Sequence, residues 1–160
     1  MPWLAACSGA RAGELATIEK SNVFTVGDFH FYHVIHDPAK GRTTKTKKNR
    51  MVPIHPALIE EGFLKFVEVA PSGRLFSANN VDQKLRHWIS KGVFKGRSGD
   101  RPAPNHGFRH LFEDLRFGKI TDEATNYITG RAIPKSASLY GKSNAMLPAL
   151  AEEFKKFPTI

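Results

Sequence analysis

The chain has 160 residues, of which 41% are hydrophobic and 24% charged, a composition typical of one globular domain with its own core. Lysine and arginine total 24 against 15 aspartate and glutamate, so the formal net charge is +9 and the expected partners are polyanions, chiefly nucleic acid. Cys7 is the single cysteine, which excludes an intramolecular disulfide and a cysteine-based metal cluster. The sequence also has no apolar run long enough to span a membrane.

The first third of the chain is predicted to contain two short helices and a β-hairpin. The four elements are helices over 2–7 and about 13–20, followed by strands over 28–36 and 43–54. Ser8-Gly9 closes the first helix, and aromatic and β-branched residues dominate the first strand. A turn at 37–41 joins the two strands. The hairpin is therefore expected to be antiparallel, with Phe29, Phe31, His33 and Ile35 on one face.

The rest of the chain is predicted to be helical. The expected helices start at Pro56, after Asn79 or Asn80, at Gly107, near Thr121 and at Leu147, the last ending near Phe157. Loops over 71–76 and 95–105 separate them, because these segments are rich in glycine and proline. The predicted fold class is mainly α with a small antiparallel β-hairpin (α+β), in one domain over 1–160.

Four histidines near the hairpin invite a metal interpretation, which the strand period argues against. His30 and His36 face opposite to His33 on an extended strand, so the three side chains cannot converge on one ion. We expect no metal site and no cofactor.

Chemistry-bearing residues follow one another in a fixed order along the chain. Arg11 precedes Glu14 by three positions, and a basic run over 44–50 leads into a Val-Pro strand end. His106 and Arg109 lie at the start of a predicted helix, where unpaired N–H groups already favour an anion. Tyr140 comes 31 residues after Arg109. Each residue alone has an ordinary structural explanation, but their order and spacing together favour phosphate chemistry.

This set resembles the catalytic domain of the tyrosine recombinases, the phage-type site-specific integrases. The segment around Arg11 is similar to the first arginine box of that family, and His106 to Arg109 is similar to its His-x-x-Arg box. The resemblance covers nearly the whole chain. One position departs from the pattern, since Arg131 stands nine residues before Tyr140, where the family has His or Trp.

The resemblance implies a role for each residue. Arg11 and Arg109 would bind the scissile phosphate, Tyr140 would be the nucleophile, and His106 would assist proton transfer. Lys45 would protonate the leaving 5′-oxygen, with Lys47 as the alternative. Arg131 would occupy the sixth catalytic position. Other basic side chains are expected to contact DNA, namely Arg42, Lys47, Lys48, Arg50, Lys135 and Lys142.

The resemblance also sets expectations for the molecule as a whole. The partner would be double-stranded DNA, the family's assembly on DNA is a homotetramer, and the isolated chain is expected to be a monomer in the cytoplasm of a bacterial or phage-infected cell. The chain is expected to be a catalytic domain that lacks the N-terminal core-binding domain and the first catalytic-domain helices. Three alternatives stay open: a DNA-binding prophage remnant without activity, a type IB topoisomerase, and a basic helical domain unrelated to DNA.

Overall fold

The computed structural model describes residues 1–76, 80–93, 106–132 and 144–160. Its α-helices are α1 (Pro2–Ser8), α2 (Ala12–Leu15), α3 (Pro56–Glu60), α4 (Phe63–Val69), α5 (Val81–His87), α6 (Gly107–Arg116), α7 (Asp122–Thr129) and α8 (Leu147–Phe154). Its strands are β1 (Val23–Val26), β2 (Phe29–Val34) and β3 (Arg50–Pro53). Short 3₁₀ turns cover Lys20–Asn22, Pro38–Lys40 and Asn144–Met146, and a π-helical turn, Trp88–Val93, continues α5. The predicted class, mainly helical with a small antiparallel sheet, is confirmed.

The sheet has three antiparallel strands in the order β1-β2-β3, one more than the predicted hairpin. Val23 pairs with Tyr32, and His33 pairs with Met51. The sequence interpretation missed β1, because only four residues separate Asn22 from the tight turn at Gly27. It also made the last strand too long.

The segment before β3 is a loop with its own hydrogen bonds. The Thr44 hydroxyl accepts from the Lys48 N–H and donates to the Lys48 carbonyl, both at 3.1 Å. The Thr44 N–H donates to His36 Nδ1 at 3.1 Å, and the His36 N–H donates to Asn49 Oδ1 at 2.7 Å. Because these groups are bonded locally, they are not available to a strand ladder, and β3 begins only at Arg50.

Both faces of β2 are covered by other elements, whereas the sequence predicted only one apolar face. Tyr32 and Val34 belong to the main core, which also holds Phe112 of α6 and Ile128 of α7. Phe31 points the other way, into a smaller cluster with Leu147 and Ala151 of α8. The helices α7 and α8 both contact β3, and α1 packs against α6. This arrangement brings the ends of α1, α2, α6 and α7 to one side of the sheet.

Three helix predictions needed revision. The helix predicted over 13–20 ends at Leu15, after which Ile18 N–H bonds the Leu15 carbonyl in a turn. The helix from Pro56 is broken by Gly62, whose φ of +86° separates α3 from α4. The last helix ends at Phe154 rather than Phe157. The predicted loop over 95–105 falls outside the described residues.

Within the described ranges, no helix is both long and apolar enough to cross a membrane. In the same part of the chain, no group of three or more His, Cys, Asp or Glu side chains is arranged so that it could hold a metal ion.

Candidate active site

Arg109 ties together three elements at the centre of the candidate site. Its side chain emerges from the first turn of α6 and is buried, with 6% of the residue exposed. One nitrogen, Nη1, donates to the Gly9 carbonyl at 2.9 Å and to the Thr129 carbonyl at 2.8 Å. These carbonyls lie at the C-terminal ends of α1 and α7, where the helix dipole favours a cation. Arg109 is therefore held by the fold before any ligand arrives.

Gly9 allows this close approach. It caps α1 in the left-handed conformation, with φ of +59°. A Cβ at this position would lie 2.8 Å from Phe112 Cδ1 and 3.0 Å from Thr129 Cγ2. Only glycine fits both the backbone conformation and the space, so the chain can turn here and present the Gly9 carbonyl to Arg109.

Arg11 follows two residues later, at the N-cap of α2. Its backbone N–H donates to Glu14 Oε2 at 3.1 Å, and its Nη1 donates to Glu14 Oε1 at 3.3 Å. The Arg11 side chain is 31% exposed, whereas that of Glu14 is 2% exposed. Arg11 thus reaches from a buried carboxylate toward the surface.

Glu14 has a second and deeper partner in Arg50 of β3. Arg50 Nη2 lies 2.7 Å from Glu14 Oε2, and Nη1 lies 3.3 Å from Oε1. Burial alone would raise the pKa of Glu14, but the hydrogen bonds and charge of Arg50, with a smaller effect of Arg11, keep it below its usual value. Glu14 is therefore a carboxylate at neutral pH.

His106 stands at the N-cap of α6, exposed to solvent. Its ring meets the edge of the His110 ring at a centroid distance of 4.9 Å. Partial burial, His110 and the charges of Arg109, Arg11 and Arg131 together lower the pKa of His106. The free imidazole is therefore neutral at pH 7, and a bound anion would favour its protonated form.

Arg131 lies just beyond the end of α7, which Gly130 caps with φ of +63°. Its Nη2 is 2.8 Å from Glu113 Oε1, and its side chain is 44% exposed. Glu113 also accepts from Arg116 Nε at 3.2 Å. Arg131 is consequently held by α6 in this structure while remaining accessible to solvent.

These residues form one cationic cluster, which we define as Arg11, His106, Arg109 and Arg131. Burial and the charges of Arg11 and Arg131 lower the pKa of Arg109 to about 10, and the same three arginines add to the effects of burial and His110 in lowering that of His106. Arg109 stays protonated at pH 7, so the cluster carries at least three positive charges at close range. A phosphate oxyanion would relieve this repulsion and accept hydrogen bonds from several of the donors.

The lysine candidates lie on the turn before β3. Lys45 and Lys47 are both exposed, and Lys47 adopts φ of +54° while its N–H closes the turn on the Thr44 carbonyl at 3.1 Å. Within the described residues no ion pair holds either ammonium group. Both remain free to meet a ligand, and the choice of Lys45 over Lys47 stays a prediction.

Two residues expected to contact DNA are instead buried in ion pairs. Arg50 is 5% exposed, bonded to Glu14 and, through Nε, to the Ile128 carbonyl at 2.9 Å. Arg42 is 8% exposed and paired with Glu19. The ion pairs with Glu14 and Glu19 hold these two guanidinium groups inside the protein, which argues against the DNA contacts predicted for both. Lys48 is exposed, as a DNA contact requires.

Three predicted site residues, Tyr140, Lys135 and Lys142, lie outside the described residues. Two other tyrosines can be placed. Tyr32 is fully buried, and Tyr127 accepts from the Met51 N–H through its hydroxyl at 3.3 Å. Burial raises the pKa of both phenols, which makes either one a poor nucleophile.

Sequence reasoning identified Glu14 beside Arg11, but it assigned Arg50 to the DNA contacts rather than to Glu14 and missed Glu113. Glu14 was visible because it lies three residues from Arg11. Arg50 is 36 residues from Glu14, and nothing local in a basic run distinguishes a buried arginine from a solvated one. The one available indication of burial was the position of Arg50, which begins β3 and is followed directly by the apolar residues of that strand.

No protein-family model and no curated protein matches the chain. Among solved structures, it is similar to the site-specific recombinase XerH, seen bound to difH substrate in a pre-cleavage complex, with a TM-score of 0.54 and 17% sequence identity. The match covers 92% of this chain but 43% of XerH, so the chain spans less than half of that protein. The likeness shows the fold alone, which the chain shares with part of this recombinase.

Proposed function

We propose that this chain carries the catalytic centre of a site-specific DNA recombinase, which cleaves and rejoins DNA strands through a 3′-phosphotyrosyl intermediate. The observation that carries the proposal is the cationic cluster. Three arginines and a histidine lie at three helix ends, and burial together with the charges of the neighbouring arginines lowers the pKa of both Arg109 and His106. Such an arrangement suits a phosphate whose two non-bridging oxygens each accept hydrogen bonds from a guanidinium group. The likeness of the fold to that of a recombinase supports the same chemistry.

The phosphodiester would be held by guanidinium groups that differ in rigidity. The two bonds from Arg109 Nη1 use two of its five N–H donors, which leaves those on Nη2 and Nε for phosphate oxygens. Arg11, partly exposed, would bind a second non-bridging oxygen. Both would stabilise the extra negative charge of the pentavalent transition state.

Tyr140 would attack the phosphorus, so that the bond to the 5′-oxygen breaks as the bond to the phenol oxygen forms. The phenol normally has a pKa of about 10, and nearby cations favour its phenolate form. Lys45 would donate a proton to the departing 5′-oxygen, and His106 would assist proton transfer at the phosphate. Attack by a 5′-hydroxyl from a partner strand would reverse the step. The phosphotyrosine conserves the bond energy for rejoining. A homotetramer on two duplexes, and a phage or prophage integrase origin, belong to the same proposal.

The proposal is tested by trapping the covalent intermediate. Because the target sequence is unknown, the chain is incubated with a pool of nicked duplexes whose bases around the nick are randomised, so that the short 5′-hydroxyl fragment diffuses away after cleavage. We expect an adduct that survives denaturing electrophoresis and whose DNA-linked peptide contains Tyr140. Tyr140→Phe should abolish it, whereas the matched change Tyr127→Phe should retain it.

Two other outcomes would replace the proposal. DNA binding in a gel-shift assay without any adduct would identify a DNA-binding remnant. An adduct accompanied by relaxation of any supercoiled plasmid, irrespective of sequence, would identify a type IB topoisomerase.

A further inference from the structure

Arg50 is the most deeply buried cation of the described chain whose every nitrogen has a partner. Its side chain is 4% exposed, and it forms a two-pronged pair with Glu14 at 2.7 and 3.3 Å. The third nitrogen, Nε, donates to the Ile128 carbonyl of α7 at 2.9 Å. A Cβ on Gly130 would lie 2.6 Å from Arg50 Nη1, so the guanidinium packs directly against the backbone that leads to Arg131.

Glu14 is shared between Arg50 and Arg11. Its Oε2 accepts from Arg50 Nη2 and from the Arg11 backbone N–H, and its Oε1 accepts from Nη1 of both arginines. Arg50 approaches from the core, while Arg11 approaches from the surface with its side chain 31% exposed. One carboxylate therefore connects a buried cation to a cation of the cluster.

The charges of these three residues determine what Arg11 can bind. Glu14 and Arg11 alone would form a neutral pair, and the Glu14 carboxylate would repel an oxyanion brought to Arg11. With Arg50 present, one positive charge compensates Glu14 from within the core. The second, on Arg11, remains uncompensated at the surface. At the short distances and low polarity of a buried pair, this compensation is strong.

We propose that Arg50 is a positioning residue for the anion site: it neutralises Glu14 and so leaves the Arg11 guanidinium free to bind a phosphate oxyanion. Arg50 acts through Glu14 and does not touch the ligand. The inference rests on the phosphate-binding role proposed above for Arg11. It also assigns a function to an arginine that its sequence context had suggested as a DNA contact.

The test measures binding of inorganic phosphate at pH 7 and constant ionic strength by ¹H–¹⁵N NMR, with circular dichroism to verify that each variant is folded. Arg11→Gln marks the loss of the site. Arg50→Gln removes the charge but keeps hydrogen-bond donors, and should weaken phosphate binding about tenfold, the effect of one uncompensated charge a few ångströms from the ligand. Arg50→Lys keeps the charge and should bind nearly as the unmodified chain does.

The double variant Glu14→Gln with Arg50→Gln separates this role from a purely structural one. It removes both buried charges, so phosphate binding should return close to that of the unmodified chain. A folded Arg50→Gln protein with unchanged affinity would overturn the inference. So would a double variant that binds as weakly as Arg50→Gln. If Arg50→Gln does not fold, Arg50→Lys decides: affinity as low as that of Arg11→Gln contradicts a role of charge, and retained affinity supports it.

None of these measurements requires DNA cleavage, so the two proposals can fail separately. The expected phosphate pattern without a covalent DNA adduct would refute the recombinase function and leave the role of Arg50 intact. An adduct at Tyr140 together with normal phosphate binding by Arg50→Gln would do the reverse. If the unmodified chain shows no Arg11-dependent phosphate binding, the role of Arg50 is refuted.

Discussion

Replacing Gly9 by alanine should destabilise the fold more than the backbone conformation alone explains. At φ of +59° an L-residue costs about 1–2 kcal/mol. The new methyl group would also lie 2.8 and 2.9 Å from two ring carbons of Phe112, which is fully buried. Forcing a methyl group into a packed core adds about 1–3 kcal/mol. The expected loss in the free energy of unfolding is therefore about 2–5 kcal/mol.

Gly27 provides the matched control. Its φ is +57°, nearly that of Gly9, but a Cβ there would meet no atom within 4 Å. Gly27→Ala should therefore cost only the conformational part, about 1–2 kcal/mol. The stability of each variant is measured at 25 °C by urea unfolding, monitored by circular dichroism. An unchanged dependence of the free energy of unfolding on urea concentration shows that the variants unfold in the same transition. Equal losses for the two alanines would refute the packing argument. Phe112→Leu should recover part of the loss in Gly9→Ala but none in Gly27→Ala.

Two further predictions concern pH and Arg131, the residue proposed for the sixth catalytic position. His55 is buried; its Nδ1 accepts from the Ala57 N–H at 3.3 Å, so its Nε2–H donates to the Phe157 carbonyl at 2.9 Å. Burial lowers the pKa of His55 in the folded chain. As the pH falls, His55 is therefore protonated at a higher pH in the unfolded chain than in the folded one, and the free energy of unfolding should decrease below about pH 6.5. His55→Asn keeps an N-cap acceptor and should make this decline shallower in urea titrations at several pH values; an unchanged slope would show that other groups cause it. Arg131→His removes the ion pair with Glu113 and should speed adduct formation several-fold on the nicked substrate, whereas an unchanged rate would show that this position contributes little.

The sequence predicted the fold class and most helices because their signals are local. Pro56 at a first helical position, Thr121 at an N-cap and Gly9 at a C-cap each act through neighbouring atoms, and the structure has all three. The failures depended on distant partners. The strand expected over 43–54 is mostly loop because Thr44 bonds to Lys48 within it and to His36 before it, and β1 forms because β2 lies beside it.

The same distinction applies to the candidate site. Order and spacing along the chain suggested Arg11, His106, Arg109 and Arg131, and the structure brings these four within electrostatic reach of one another. The pattern did not reveal which basic residues are buried. Arg50 and Lys48 are two positions apart in one basic run, yet one is enclosed by α2 and α7 and the other faces solvent.

Arg109 is bonded to the ends of both α1 and α7. Its presence in a related sequence is therefore not by itself evidence that the related protein is active. A descendant that lacked the proposed cleavage activity would still need this arginine, and Gly9 beside it, in order to fold. Their retention would therefore record selection for folding as readily as selection for chemistry. Lys45 and His106 are different, because both are exposed. Under the proposed function, loss of these exposed residues before the buried ones would be the earliest sign among related sequences that a lineage had lost that function.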